Sequence, residues 1–161
     1  MNDIKKTNAM RLLDAAHISY KCYEYETLDG KIDAVSVAQK IGQEPEQVFK
    51  TLVTLSPSRE HFVFVIPSIC ELDLKLAAKA AKQKSIEMLP LKQLLSTTGY
   101  VHGGCSPIGM KKFFPTFIEE TALLYDKICI SAGKVGLNLC LSPSALSLYL
   151  PATFADLSRI P

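Results

Sequence analysis

TLVTLSPSREHFVFVIP, residues 51–67, reads as two β-rich runs, Thr51–Leu55 and His61–Pro67, joined by a short loop at Pro57. Val, Thr, Phe and Ile dominate both runs, and a proline that cannot sit inside a central strand separates them, so a strand pair is predicted. Working upstream, Pro45 suits the first turn of a short helix that ends near Lys50. Before it, Val35, Ala38 and Ile41 share a helical face that Gly42 closes as the C′ residue. SYKCYEY, residues 19–25, reads as a strand with Tyr23 and Tyr25 on one face, preceded by a helix that Thr7 caps and that carries Met10, Leu12, Leu13 and Ala16. Downstream, Asp73 can cap LKLAAKAAK, with Leu74, Ala77, Ala78 and Ala81 inward and Lys75, Lys79 and Lys82 on the solvent side. PLKQLLSTTG is predicted as a helix from Pro90 to Gly99, FFPTFI is β-like, and KICISAG and GLNLCLS alternate as strands around Lys134. SPSALSLYL closes the chain as a helix entered at Pro143. Strands and helices are mixed rather than strictly alternating, which predicts an α/β chain of mixed α+β type with a curved sheet, and not a doubly wound parallel one.

The chain has 161 residues, 48% of them apolar, enough to bury a core as one domain over residues 1–161. Eighteen Lys and Arg against sixteen Asp and Glu leave a net charge of +2, which excludes a polybasic tail or a disordered acidic chain. Nucleic-acid binding is left open, because affinity depends on where the cations cluster. MNDIKKTNAM has no following apolar stretch, and the longest apolar run, Phe62–Ile66, is far too short for a bilayer. A cytoplasmic, membrane-free protein is expected. The five cysteines are widely spaced with no C-x-x-C pair, and apart from His102, three positions before Cys105, no histidine lies three or four positions from another His or Cys. That spacing suggests neither a disulfide framework nor a zinc site, so Cys22, Cys70, Cys129 and Cys140 are expected as buried thiols. Cys105 differs because glycines surround it.

Residues 102–109, HGGCSPIG, form a constrained loop. Paired glycines let a polar ligand approach the main chain and let successive N–H groups point at one oxygen, and Pro107 stiffens the arrangement. A tight turn with no further role uses the same residues. Ser106 is read equally as a nucleophile, an orienting hydroxyl or a turn-stabilising cap. The loop fits neither the Walker spacing nor the dinucleotide spacing, so phosphate-fuelled and hydride chemistry lose support. Lys50 is placed just before an apolar strand, where a partly shielded ammonium can bind phosphate or simply snorkel.

In order along the chain, QVFKTL at 47–52, TGYVHGGCSPIG at 98–109, PTFI at 115–118 and ISAGKVGL at 130–137 resemble the YbaK/EbsC family, over about Thr7 to Leu150. These proteins are free-standing relatives of the editing domain of bacterial prolyl-tRNA synthetases, and the chain looks closest to the Cys-tRNA(Pro) deacylases among them. The resemblance implies a barrel-like mixed sheet flanked by helices and an enzyme that removes a wrongly attached amino acid from tRNA in trans. It puts the family's lysine on Lys50, against the terminal adenosine or its phosphate, and the pocket tyrosine on Tyr25. The glycine-rich segment falls on Gly103, Gly104, Ser106, Pro107 and Gly109, and Lys134 borders the same cleft. Lys50, Gly103 and Gly104 would then be catalytic and the others substrate-binding. No cofactor and no metal are implied: the thiol of the mischarged cysteine attacks its own ester and leaves as a cyclic thiolactone. The implied partners are the tRNA acceptor end and prolyl-tRNA synthetase, with Lys75, Lys79, Lys111 and Lys112 adding backbone contacts. Cys105 stands where an aliphatic residue is usual and Ala132 where a glycine is usual. The competing expectations are water-mediated editing of a small residue such as alanine, a non-catalytic tRNA- or synthetase-binding module, and a cysteine hydrolase pairing Cys105 with His102.

Overall fold

The computed structural model describes residues 5–161, so the first four residues of the amino-terminal reading lie outside the described residues. In chain order the elements are α1 (Asn8–Ala15), β1 (Lys21–Glu24), α2 (Ala34–Ile41), β2 (Phe49–Leu55), β3 (His61–Pro67), β4 (Glu71–Leu72), α3 (Leu74–Ala80), β5 (Glu87–Met88), α4 (Leu94–Thr98), β6 (Thr116–Glu119), β7 (Ile128–Lys134), β8 (Leu137–Leu141), α5 (Pro143–Tyr149), β9 (Ala152–Ala155) and β10 (Ser158–Arg159). Four of the helices open on the side-chain caps that short polar residues supply: Thr7, Asp33, Asp73 and Ser142 each accept a hydrogen bond from a backbone N–H of the first turn.

The strand pair read from residues 51–67 is the axis of the larger sheet. β2 and β3 run antiparallel from Phe49 opposite Pro67 to Leu55 opposite His61. The sheet order is β5-β2-β3-β6-β9, with β6 and β9 added in parallel. A second antiparallel sheet, β1-β8-β7, meets the first, among the described residues, through one isolated parallel bridge, Val48 to Cys129. The expected barrel-like sheet is therefore not closed. Beyond the bridge, the β7–β8 register shifts between Ser131 and Lys134, a bulge with Gly133 at φ 103°.

Alternation along β2 divides the interior. Phe49 joins Ala9, Met10 and Leu13 of α1 and Val65, Ile118, Ile130 and Leu139 in the main core. On the opposite face, Phe62, Phe64 and Ile66 of β3 pack under Ala77, Ala78 and Ala81. Leu74 is 41% exposed rather than inward, and Leu72 of β4 fills the place beside that cluster.

Several boundaries move. The turn at Pro45 is a 3-10 helix of Pro45–Gln47, so Lys50 lies inside β2 instead of before it. PLKQLLSTTG splits into a 3-10 turn at Leu91–Gln93 and α4, and the strand in FFPTFI starts only at Thr116. The cysteine reading is corrected as well. Antiparallel pairing puts Cys129 directly opposite Cys140, with Cα atoms 4.1 Å apart, and the two form a disulfide, leaving Cys22, Cys70 and Cys105 free. Their separation of 11 residues carries no pairing signal until the hairpin register is known. Among the described residues, no helix is long and apolar enough to cross a membrane.

Candidate functional site

The site is built on the hairpin β7–β8. One of its faces, Ile128, Ile130, Ala132, Leu137, Leu139 and Leu141, enters the main core. By alternation Cys129, Ser131, Asn138 and Cys140 share the other face, with Ser131 opposite Asn138 and Tyr23 of β1 also opposite Asn138. Tyr25, Val48 and the α2 residues Val37, Ala38 and Ile41 pack against Cys129 and Cys140 on that face. Tyr25 is held there because its N–H donates to the Gly136 carbonyl at 2.9 Å.

Lys50 arrives on the same face by register. Val48 bridges Cys129, and two residues further along each strand Lys50 stands level with Ser131. Its ammonium is half-buried and, among the described residues, has neither a hydrogen bond nor an ion pair. Burial lowers its pKa from the ordinary lysine range, while Cys70 and Glu71 nearby pull it back up. The next residue, Thr51, carries a buried hydroxyl with no hydrogen-bond partner.

The glycine-rich loop lies directly on the β7–β8 turn. A Cβ at Gly104 would meet the Val135 nitrogen at 3.1 Å and the Lys134 Cα and carbonyl carbon at 3.3 Å, so this glycine is required by backbone packed on backbone. Gly103, at φ 85° and exposed, lies against Val135 and Ile32. Lys134 is exposed at the same turn, so Gly103, Gly104, Lys134 and, through Gly136, Tyr25 are brought together.

The chemistry of individual loop residues departs from the expectation. The Gly104 N–H donates to the Val101 carbonyl at 3.0 Å, so it is spent within the turn and is not an open oxyanion donor; Gly104 acts through close approach. The Gly103 N–H has no backbone partner among the described residues. Ser106 is fully buried and its Oγ accepts from the Ile108 N–H at 3.2 Å, which realises the turn-stabilising role instead of substrate contact. Pro107 is buried, and Gly109, at φ 77°, is hemmed in by Asn8 and Leu12 of α1. Both shape the loop from its far side.

Cys105 sits in an apolar cluster with Val53, Leu55, Val63 and Leu89. Burial pushes its thiol up to about 12, so it is protonated and unreactive at neutral pH. His102 is exposed, which argues against a Cys105–His102 pair. Three residues that the sequence patterns did not single out belong here. Tyr100 donates its hydroxyl to the Ile108 carbonyl and lays its ring on Gly133, tying the loop to the β7 bulge; burial raises its hydroxyl to about 12. Ser131 and Asn138 are polar side chains at inward positions of alternating strands, and that parity is the signal that marks them. The cavity of about 590 Å³ lined by Asp14, His17 and Tyr20 at the α1–β1 corner contains none of these residues.

Gly104→Ala is expected to lower activity at this site tenfold or more by forcing the loop off the Lys134–Val135 backbone, since misplacement of about 1 Å is enough for such losses. Steady-state rates against wild type check it; an unchanged rate would show that this close approach does not matter.

A profile of the aminoacyl-tRNA editing domain matches residues 31–147. A protein of Enterococcus faecalis, provisionally named Cys-tRNA(Pro)/Cys-tRNA(Cys) deacylase EbsC, is 47% identical over 154 residues, covering 96% of this chain and 94% of its own. Among solved structures, a provisionally assigned trans-editing enzyme for prolyl-tRNA synthetase superposes with a TM-score of 0.81 at 22% identity, over 96% of this chain and 99% of the other. The hypothetical protein APE2540 superposes with a TM-score of 0.84 at 19% identity, over 92% and 97% of the two chains. At those identities the two structures speak for the fold alone.

Proposed function

Because this chain belongs to the aminoacyl-tRNA editing-domain family, we propose that it is a trans-editing deacylase that removes cysteine from mischarged Cys-tRNA(Pro), and from Cys-tRNA(Cys), as a single cytoplasmic domain. The observation that carries the mechanism is that the loop's own nucleophiles are disarmed: Cys105 is buried with its thiol near 12, and the Ser106 hydroxyl is buried in a turn. The substrate then supplies the nucleophile. Its cysteine sulfur attacks the ester carbonyl carbon, a C–S bond forms, the bond from that carbon to the ribose oxygen breaks, and the thiol proton ends on the ribose hydroxyl. The product is a cyclic thiolactone and no water is consumed.

The protein's contribution is proximity and charge. Lys50 takes the terminal phosphate or adenosine, Tyr25 and the Ser131–Asn138 face border the amino acid, and the Gly103 N–H is the donor available to the developing oxyanion. Lys134 closes the cleft from the turn. A net charge of +2 supports weak tRNA selectivity by the protein alone, with prolyl-tRNA synthetase as the partner that supplies it.

The test is deacylation of Cys-tRNA(Pro), Ser-tRNA(Pro) and Ala-tRNA(Pro), with and without prolyl-tRNA synthetase. Cysteine is expected to be released while serine and alanine, which lack the thiol, are spared. Efficient serine release would sink the thiol mechanism, and alanine release would favour water-mediated editing.

A further inference from the structure

From Met88 to Ile118 the chain contains three lysines and not one Asp or Glu. This acid-free stretch carries the glycine-rich loop at its centre, and its far side forms a second feature that the site does not use. A groove of about 330 Å³ runs between the loop and the end of α5, walled by Pro107, Met110 and Phe114 on one side and by Tyr149 and Leu150 on the other. Lys112 and Phe113 also line it, and Phe113 is 66% exposed, an aromatic ring left in solvent beside two exposed lysines. The Lys111 ammonium donates to the Ser96 carbonyl at 3.4 Å and stays exposed. Next to the groove, the His61 ring lies against Phe114 with centroids 5.1 Å apart and the two planes tilted by 43°, and Arg59 and Lys112 both bear on it electrostatically. An exposed ring, an apolar slot and a cluster of cations suit a ligand that is flat, apolar on its faces and flanked by negative charge.

We propose that this groove seats an unpaired nucleotide of an RNA strand, with Phe113 stacking the base and Lys111 and Lys112 holding the flanking phosphates. Aromatic stacking plus a basic track is the general chemistry of single-strand recognition. The loop that approaches Lys134 at Gly104 lines the groove at Pro107 and Gly109, so a strand leaving the site reaches the groove within one loop length. The proposal rests on the deacylase reading for which RNA this is, namely the segment adjoining the aminoacylated end, but the binding chemistry is tested without any ester.

The probe is an uncharged acceptor-stem minihelix with a single-stranded 3′ tail, titrated by fluorescence anisotropy at several salt concentrations. Phe113→Leu keeps an apolar side chain and removes the ring; it is expected to weaken binding about fivefold or more, while Phe113→Trp binds at least as well as wild type. Lys111→Ala with Lys112→Ala is expected to reduce the slope of log affinity against log salt by about 1.4, the value for two single-strand phosphates. Both sites are exposed, so thermal melts should match wild type. Wild-type-like affinity and slope in these variants, or no binding of the minihelix at low salt, overturns the groove. Groove-dependent binding in a protein that fails to release cysteine would overturn the deacylase reading and leave the groove standing.

Discussion

Replacing Lys50 by alanine is expected to slow deacylation of Cys-tRNA(Pro) about 10²-fold or more, the loss that follows when a group that positions the substrate is removed and the reacting atoms shift by about 1 Å. The same change should leave the folded protein as stable as wild type or more so. The two halves of this expectation have one cause. Lys50 is held half-buried on β2 with no ion pair among the described residues, and burial lowers its pKa, which means that the fold makes its charged form less favourable. A group depressed in this way weighs on stability below its native pKa, while it is protonated, and the penalty is gone above its ordinary value. At neutral pH the ammonium is therefore kept at a cost in stability, and Lys50→Met, which retains the aliphatic stem, should melt no lower than wild type and release cysteine as poorly as Lys50→Ala. A surface lysine that merely snorkels would show neither effect. Retained deacylation in Lys50→Met would remove Lys50 from the site, and a large drop in melting temperature would assign it to packing instead.

Much of the fold around Lys50 is legible in the residues themselves. The runs 51–55 and 61–67, the caps at Thr7 and Asp73, and the helix entered at Pro143 all follow from local rules, because hydrophobic alternation and capping act within a few residues. What local rules miss is set by partners distant in sequence. ATFA at 152–155 has no strand signal of its own and becomes β9 because β6 offers a parallel edge. Cys129 and Cys140 become a disulfide because the hairpin register aligns them. The site shows the same division. The loop's glycines are readable as a place of close approach, but only the β7–β8 turn lying on Gly104, and the hydrogen bonds from Gly104 and to Ser106, separate residues that pack from residues free to touch substrate. Lys50 is readable as a shielded ammonium; its alignment with Ser131 depends on the Val48–Cys129 bridge, which spans 81 residues of sequence.

The second large effect lies away from the site, at Glu119, where the end of β6 holds the carboxyl-terminal strands. Its Oε1 accepts from the Leu157 N–H at 2.9 Å, the Ser158 N–H at 3.1 Å and the Ser158 hydroxyl at 3.0 Å, and its Oε2 accepts from the Thr121 N–H at 2.9 Å. Burial pulls the carboxyl's pKa up, but these four donors outweigh it and hold it below the ordinary value. Glu119→Ala removes both acceptor oxygens and the four hydrogen bonds they receive, and leaves buried donors such as the Leu157 N–H unpaired, at roughly 1–3 kcal/mol each, so a loss of about 3 kcal/mol or more is expected in denaturant unfolding. Glu119→Gln should cost less. Its carbonyl can replace Oε1, but its amide nitrogen then faces the Thr121 N–H, donor against donor. The sign of the pH dependence follows from the depressed pKa: the carboxylate's contribution is complete above the unfolded-state value of about 4.3 and is lost as pH falls through the lower native value. The stability gap between wild type and Glu119→Gln should therefore be widest at neutral pH and narrow through that acid range. A gap that stays constant with pH would mean that the clamp works by shape rather than by charge, and no gap at all would mean that β9 and β10 hold without it.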